Sequence, residues 1–265
     1  MPPEGTQTAL LPTEAPVEHP REGVSSPAPS LGKPKPPRRR AGYYHIGDRK
    51  YVSVTTVLDG VLVKKNLIPW AAKKAAELAL EDPVVWNTPE KCASGIYGVR
   101  DRAGDRGGTI HSLIHATFMG GEIDRTGVPD HLKGFAEAFW KWQAMARPRM
   151  LHTETTAFSH AGYAGSFDLL AELGDRTALI DFKTSASGVH RTEVTLQLAA
   201  YRHCDRMLPS RENNDSVEMP AVDDTVCILL RSDGSFEHHA IPADEEAFAA
   251  FRHLLDVWKW LHGEE

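Results

Sequence analysis

At 265 residues and 41% hydrophobic composition, the chain can build one large domain or two small ones around a real core. It contains no run of about eighteen apolar residues, which excludes a predicted membrane span, and its N-terminus lacks the basic start and apolar stretch of a signal peptide, so none is expected. A net charge of −6 is wrong for a protein that only grips nucleic-acid phosphates, while a metal-dependent enzyme tolerates it because bound cations supply local positive charge.

Residues 1–40 read as a disordered tail, holding ten of the eighteen prolines and ending in Lys33-Pro34-Lys35-Pro36-Pro37-Arg38-Arg39-Arg40. This basic run is a solvated linker or an arm for DNA phosphates, and the Pro-rich tail also permits docking of a partner protein. Tyr43–Ile46 and Arg49–Val54 are expected as two strands around Gly47-Asp48. Leu67–Leu80 has helical spacing and is ended by Pro83, and a short helix can start near Thr88-Pro89-Glu90. Residues 41–104 are thus expected as a helical N-terminal part, followed by a core at 105–265.

In that core, Gly107-Gly108 is expected to introduce a helix over Thr109–Met119, and a second helix over Asp130–Met145 carries Leu132, Phe135, Phe139 and Trp142. The pattern then turns to period two, giving strands at Leu151–Phe158, Gly165–Leu173 and Thr177–Lys183, the last two joined at Gly174-Asp175. A helix is expected over Thr192–Leu208, a hairpin over Thr225–Arg231 and Ser235–Ile241, and a closing helix over Asp244–His262 in which Trp258 packs inward. The expected class is α/β, with a mixed central sheet flanked by helices.

The chemistry concentrates on the paired strands. Alternation puts Asp181 and Lys183 on one face and Phe182 on the other, while Asp168 lies on the neighbouring strand. Two carboxylates and an ammonium on an apolar sheet need pairing or a metal, and Mg²⁺ takes such hard oxygen ligands. Three scattered cysteines, Cys92, Cys204 and Cys227, read as reduced thiols and leave no ligand set for an iron–sulphur cluster. His111 and His115 are four apart on one helix, but no HExxH glutamate accompanies them.

Taken in order, Gly108-Thr109-Ile110-His111, Gly165-Ser166-Phe167-Asp168, Asp181-Phe182-Lys183 and Gln197-Leu198-Ala199-Ala200-Tyr201 resemble the PD-(D/E)XK nuclease superfamily, and within it the RecB-type nuclease domain, over roughly residues 105–205. The resemblance implies a restriction-endonuclease-like core with a helical N-terminal addition. It implies His111, Asp168, Asp181 and the Phe182 carbonyl as ligands of Mg²⁺ or Mn²⁺, with Asp168, Asp181 and Lys183 catalytic. Gln197, Tyr201, Arg106 and Glu154 are then substrate contacts or supports, and His115 is left beside the site or on the surface. The implied substrate is DNA, cleaved by an exonuclease of recombination, repair or phage replication in the cytoplasm (the host's, for a viral protein), with the tail free to dock a replication or recombination protein. A sequence-tolerant endonuclease or nickase, and a non-catalytic DNA-binding module, are the alternatives.

Overall fold

Turn and cap residues set most of the element boundaries. The computed structural model describes residues 39–65, 67–121, 124–185, 188–209 and 215–264, with side chains from residue 41 onward, so the expected tail lies outside the described residues except for its last two positions. These form a short strand, β1 (Arg39–Arg40), paired with β2 (Tyr43–Ile46), which turns at Gly47 into β3 (Arg49–Ser53). The Ser53 side chain accepts the Thr56 N–H and caps α1 (Val54–Val61), so Val54 is helical instead of ending the strand. Next come α2 (Leu67–Glu81), α3 (Pro89–Phe118) and α4 (Asp130–Ala146).

The strands β4 (Arg149–Phe158), β5 (Tyr163–Leu173) and β6 (Arg176–Thr184) follow as an antiparallel meander. Beyond them lie α5 (Arg191–Arg202), β7 (Arg206–Leu208), β8 (Val217–Glu218), β9 (Asp224–Leu230), β10 (Phe236–Ala240) and α6 (Glu245–His262). All the described strands join one mixed sheet: β6 runs parallel to β9, β3 parallel to the start of β5, and the other pairs are antiparallel. No helix among the described residues is long and apolar enough to cross a membrane.

Two layers of side chains cover the sheet. On one face, α3 and α4 bury Ile110, Leu113, Phe139 and Trp142 against Leu169, Ile180, Phe182 and Ile228. On the other, α1, α5 and α6 bury Val57, Leu198, Phe251 and Trp258 against Tyr163, Leu170, Leu179 and Cys227. Phe182 sits edge-on to Trp142 and Phe139, with ring centroids 5.1 and 5.8 Å away. Burying each such ring contributes roughly 1.5–3 kcal/mol, enough to fix the backbone of β6 at this point.

The structure departs from the sequence-based expectations in two helices and in the N-terminal part. A single helix, α3, runs through Gly104, Gly107 and Gly108 in place of a short turn followed by a new start. Thr88 accepts the Lys91 N–H at its N-terminus, Pro89 occupies the first turn, and burial of Ile110, Leu113 and Ile114 offsets the roughly 1 kcal/mol that each glycine costs. Helix α5 stops at Arg202 instead of Leu208, because the Tyr163 hydroxyl reaches the Ala200 and His203 carbonyls and Asp205 turns back to Ser159 and His160; residues 206–208 pair with β4 instead. Residues 41–104 are not a purely helical addition, since β3 pairs directly with β5.

Helix α4 passes so close to the β9–β10 turn that a Cβ at Gly134 would stand 1.8 Å from the Ser232 carbonyl oxygen, whereas a Cβ at Gly104 would meet nothing within 4 Å. Glycine to alanine inside a helix normally stabilises by about 1 kcal/mol. Gly104→Ala should therefore raise the denaturation midpoint, while Gly134→Ala should destabilise by about 1–3 kcal/mol through overpacking. Urea titration of both variants checks the opposite signs; a stabilising Gly134→Ala would contradict this packing.

Candidate metal centre

The site is built where β6 leaves β5. Their ladder ends at Leu169↔Ile180, and β6 continues as Asp181–Thr184 paired only with β9. On the same edge β5 begins by pairing with β3 at Tyr163 and Ala164, so no ladder pair joins Gly165–Asp168 on that side. Asp168 bridges the fork, its Oδ2 accepting the Phe182 N–H at 2.7 Å. The alternation expected of β6 holds: Phe182 belongs to the α3–α4 layer, and Asp181 and Lys183 share the opposite side with Leu179.

Helix α3 lays His111 over this fork. His111 Nε2 lies 3.0 Å from the Phe182 carbonyl, and Nδ1 lies 3.2 Å from Asp168 Oδ1 and 3.6 Å from Glu154 Oε1. One ligand atom from each of His111, Glu154 and Asp168 falls within 4.8 Å of the others. The register Thr153↔Leu169 and Thr155↔Phe167 sets Glu154 opposite Asp168, a placement that like charges disfavour. Glu154 also has φ +48°, a left-handed conformation that costs a non-glycine residue of order 1–3 kcal/mol. Repulsion and strain in the same residue mark a place where the fold gives up stability to gather carboxylates.

Electrostatics around the triad follow from burial and pairing. Burial pulls the His111 pKa down, but the charge and hydrogen bond of Asp168, with Glu154 behind it, outweigh this and push it up to about 10. Burial raises the Asp168 carboxyl, yet His111, Lys183 and the Phe182 N–H hold it below the usual range. Asp181, 4% exposed, is raised, because burial and the nearby Asp168 charge exceed the help of Lys183 at 2.7 Å. Burial opposes the charge on Lys183, but Asp181 and Asp168 push its pKa up to about 12, so it is an ammonium at neutral pH.

The sequence-derived residues therefore fall into two connected groups. His111, Asp168 and Glu154 form the triad, and His111 also touches the Phe182 carbonyl. Beside them runs a polar chain: Lys183 Nζ donates to Asp181 and, at 3.3 Å, to Gln197 Oε1, and Gln197 Nε2 reaches the Tyr201 hydroxyl at 3.5 Å. Tyr201 can lie there because Gly165 has no side chain; a Cβ would stand 2.3 Å from its ring. Asp181, expected among the ligands, is engaged with Lys183 and lies outside the triad. Arg106, expected as a substrate contact, has its guanidinium over the Phe135 ring, with Nε buried and without a hydrogen-bond partner.

His115, one turn beyond His111, stands behind the triad with Nδ1 3.4 Å from Thr153 Oγ1. Sequence reasoning missed Thr153 and Thr155, whose only signal was a Thr-Glu-Thr-Thr run in a strand, and Cys227, whose thiol points at Asp181 Oδ2 from 3.8 Å. Compared with known proteins, the sequence matches no family model and no curated protein.

Proposed function

We propose that this chain is a metal-dependent nuclease with a PD-(D/E)XK-type core that hydrolyses DNA phosphodiester bonds. The observation carrying this reading is the triad of His111, Glu154 and Asp168 with the Asp181–Lys183 pair beside it at one fork of the sheet. One imidazole nitrogen and two carboxylates suit Mg²⁺ or Mn²⁺, and the imidazole favours Mn²⁺ over purely oxygen-seeking ions. His111, Glu154 and Asp168 would hold the ion, with the Phe182 carbonyl and Asp181 next in reach of the same fork. A cation held there supplies Lewis acidity toward a phosphate and lowers the pKa of a water.

The chain's own groups do the rest. As an ammonium, Lys183 is suited to stabilising the charge that grows on the phosphate oxygens and to orienting the attacking water, rather than to taking its proton. Asp181 fixes Lys183 from below, and Gln197 with Tyr201 fixes it from the side of α5. The lean toward an exonuclease of recombination, repair or phage replication rests on the motif resemblance alone, and closed circular DNA separates it from an endonuclease or nickase.

Two outcomes are expected. Lys183→Ala should leave Mn²⁺ affinity nearly unchanged while lowering single-turnover cleavage of a labelled duplex about a hundredfold or more. Asp168→Ala and His111→Ala should instead lose Mn²⁺ binding and cleavage together. Calorimetric titration and cleavage assays check both: parental cleavage by Lys183→Ala would remove Lys183 from the chemistry, parental cleavage in EDTA would remove the metal dependence, and a parent that cleaves neither linear nor circular DNA with Mg²⁺ or Mn²⁺ would sink the nuclease reading.

A further outcome concerns pH. The folded His111 pKa of about 10 exceeds the ordinary 6.5, so its proton contributes stability that is complete below about pH 6.5 and disappears as pH rises through about 10. In EDTA the melting temperature should fall between pH 7 and pH 10, and His111→Ala should flatten that fall. A cation must displace the same proton, so apparent Mn²⁺ affinity should rise about tenfold per pH unit between pH 6.5 and 8.5, with about one proton released. Calorimetry in buffers of different ionisation enthalpy measures the release; affinity independent of pH would remove His111 from the ligand set.

A further inference from the structure

Glu154 poses a local problem. Its neighbours Thr153, Thr155 and Thr156 are β-branched residues suited to extended backbone, and the ladder is in register on both sides of it. The left-handed excursion is therefore confined to one residue, of a type that gains nothing from it. Two side-chain hydrogen bonds flank it. Thr153 Oγ1 donates at 2.9 Å to the carbonyl of Asp168, the residue opposite Glu154, and Thr155 Oγ1 donates at 3.2 Å to the carbonyl of Thr153, the residue just before it. Both threonines are buried. Because the Thr153 proton goes to Asp168, the 3.4 Å contact with His115 Nδ1 is a donation from the imidazole, which ties the hydroxyl to the helix that carries His111.

We propose that Thr153 and Thr155 are positioning residues whose hydroxyls latch Glu154 in its left-handed conformation and so aim its carboxylate into the metal triad. This rests on reading His111, Glu154 and Asp168 as a metal centre. Thr153 also grips the backbone of Asp168, so one side chain sets the relative placement of two ligands. Without the hydroxyls a buried strand of β-branched residues would relax toward regular pleating, and a residue whose φ becomes negative projects its side chain in another direction.

The test uses Mn²⁺ as probe on the full chain, with melting temperature and circular dichroism as folding controls. Thr153→Val plus Thr155→Val keeps volume and β-propensity but removes both donors, and it should weaken Mn²⁺ binding at least tenfold with the fold intact. Thr153→Ser plus Thr155→Ser, which restores the donors, should bind Mn²⁺ within about threefold of the parent. Glu154→Gly should raise the melting temperature of the metal-free protein by relieving the strained backbone, while losing Mn²⁺ affinity. In that background the valine pair should weaken Mn²⁺ binding much less than in the parent, because only the Thr153 contact with the Asp168 carbonyl is left to lose.

Asp168→Asn separates the two levels of failure. If it binds Mn²⁺ like the parent, the metal centre itself is wrong. If it loses Mn²⁺ while the valine pair binds normally, or while the valine pair weakens binding equally without Glu154, the latch is wrong and the metal centre stands.

Discussion

The structure around the fork depends on an imbalance of charge in a nearly dry place. Three carboxylates, Glu154, Asp168 and Asp181, converge there with two cations, His111 and Lys183, so with every group ionised the cluster carries one excess negative charge. Asp168 is 13% exposed and Asp181 4%, and burying such charge without compensation costs several kcal/mol. The protein answers with protons and hydrogen bonds: His111 keeps its proton far above the ordinary range, Asp168 takes the Phe182 N–H, and Asp181 is pushed toward its neutral form. A divalent cation in place of the His111 proton would bring the same cluster to neutrality, which is the electrostatic argument for the proposed metal centre.

Such an arrangement survives only if the backbone beneath it cannot collapse, and Phe182 provides that rigidity. Its ring is locked between Trp142 and Phe139, its N–H holds Asp168, and its carbonyl faces His111. One residue thus joins the aromatic core of the α3–α4 layer to both backbone contacts of the site. Asp181 and Lys183 flank it, so the packing of one side chain fixes the positions of two charged ones on the opposite face. The long helix α3 completes the frame: its buried Ile110, Leu113 and Ile114 seat it on the sheet, and His111 follows from that seating.

Much of this was legible in the sequence, for local reasons. The meander, the face assignments of Asp181, Phe182 and Lys183, and the buried stripe of α4 follow from periods of two and 3.6, which depend only on neighbours in the chain. The relevance of His111, Asp168, Gln197 and Tyr201 came from motif order, and the structure brings all four into one polar neighbourhood. What stayed hidden depends on partners far away in sequence. The end of α5 is set by the Tyr163 hydroxyl, the place of Cys227 beneath Asp181 by the β6–β9 register, and the continuity of α3 by burial beyond its glycines. The contact of Arg106 with Phe135 stayed hidden for the same reason, since no local pattern couples the two residues.

Glu154 shows where the two levels of description separate. In the sequence it is an acid in a β-branched strand, and exposure is the bland expectation. In the fold it stands opposite another carboxylate, in a backbone conformation that its neighbours oppose, beside an imidazolium. Local preferences usually agree with the global fold, and a place where several fail together is where function has overridden stability. Here repulsion and backbone strain converge on one partly buried residue, and a cation at the fork, as proposed, would answer the repulsion. On the proposed reading, the Thr153 and Thr155 hydroxyls that hold Glu154 out of strand geometry, against the preference of their own β-branched side chains, are what turn it into a ligand.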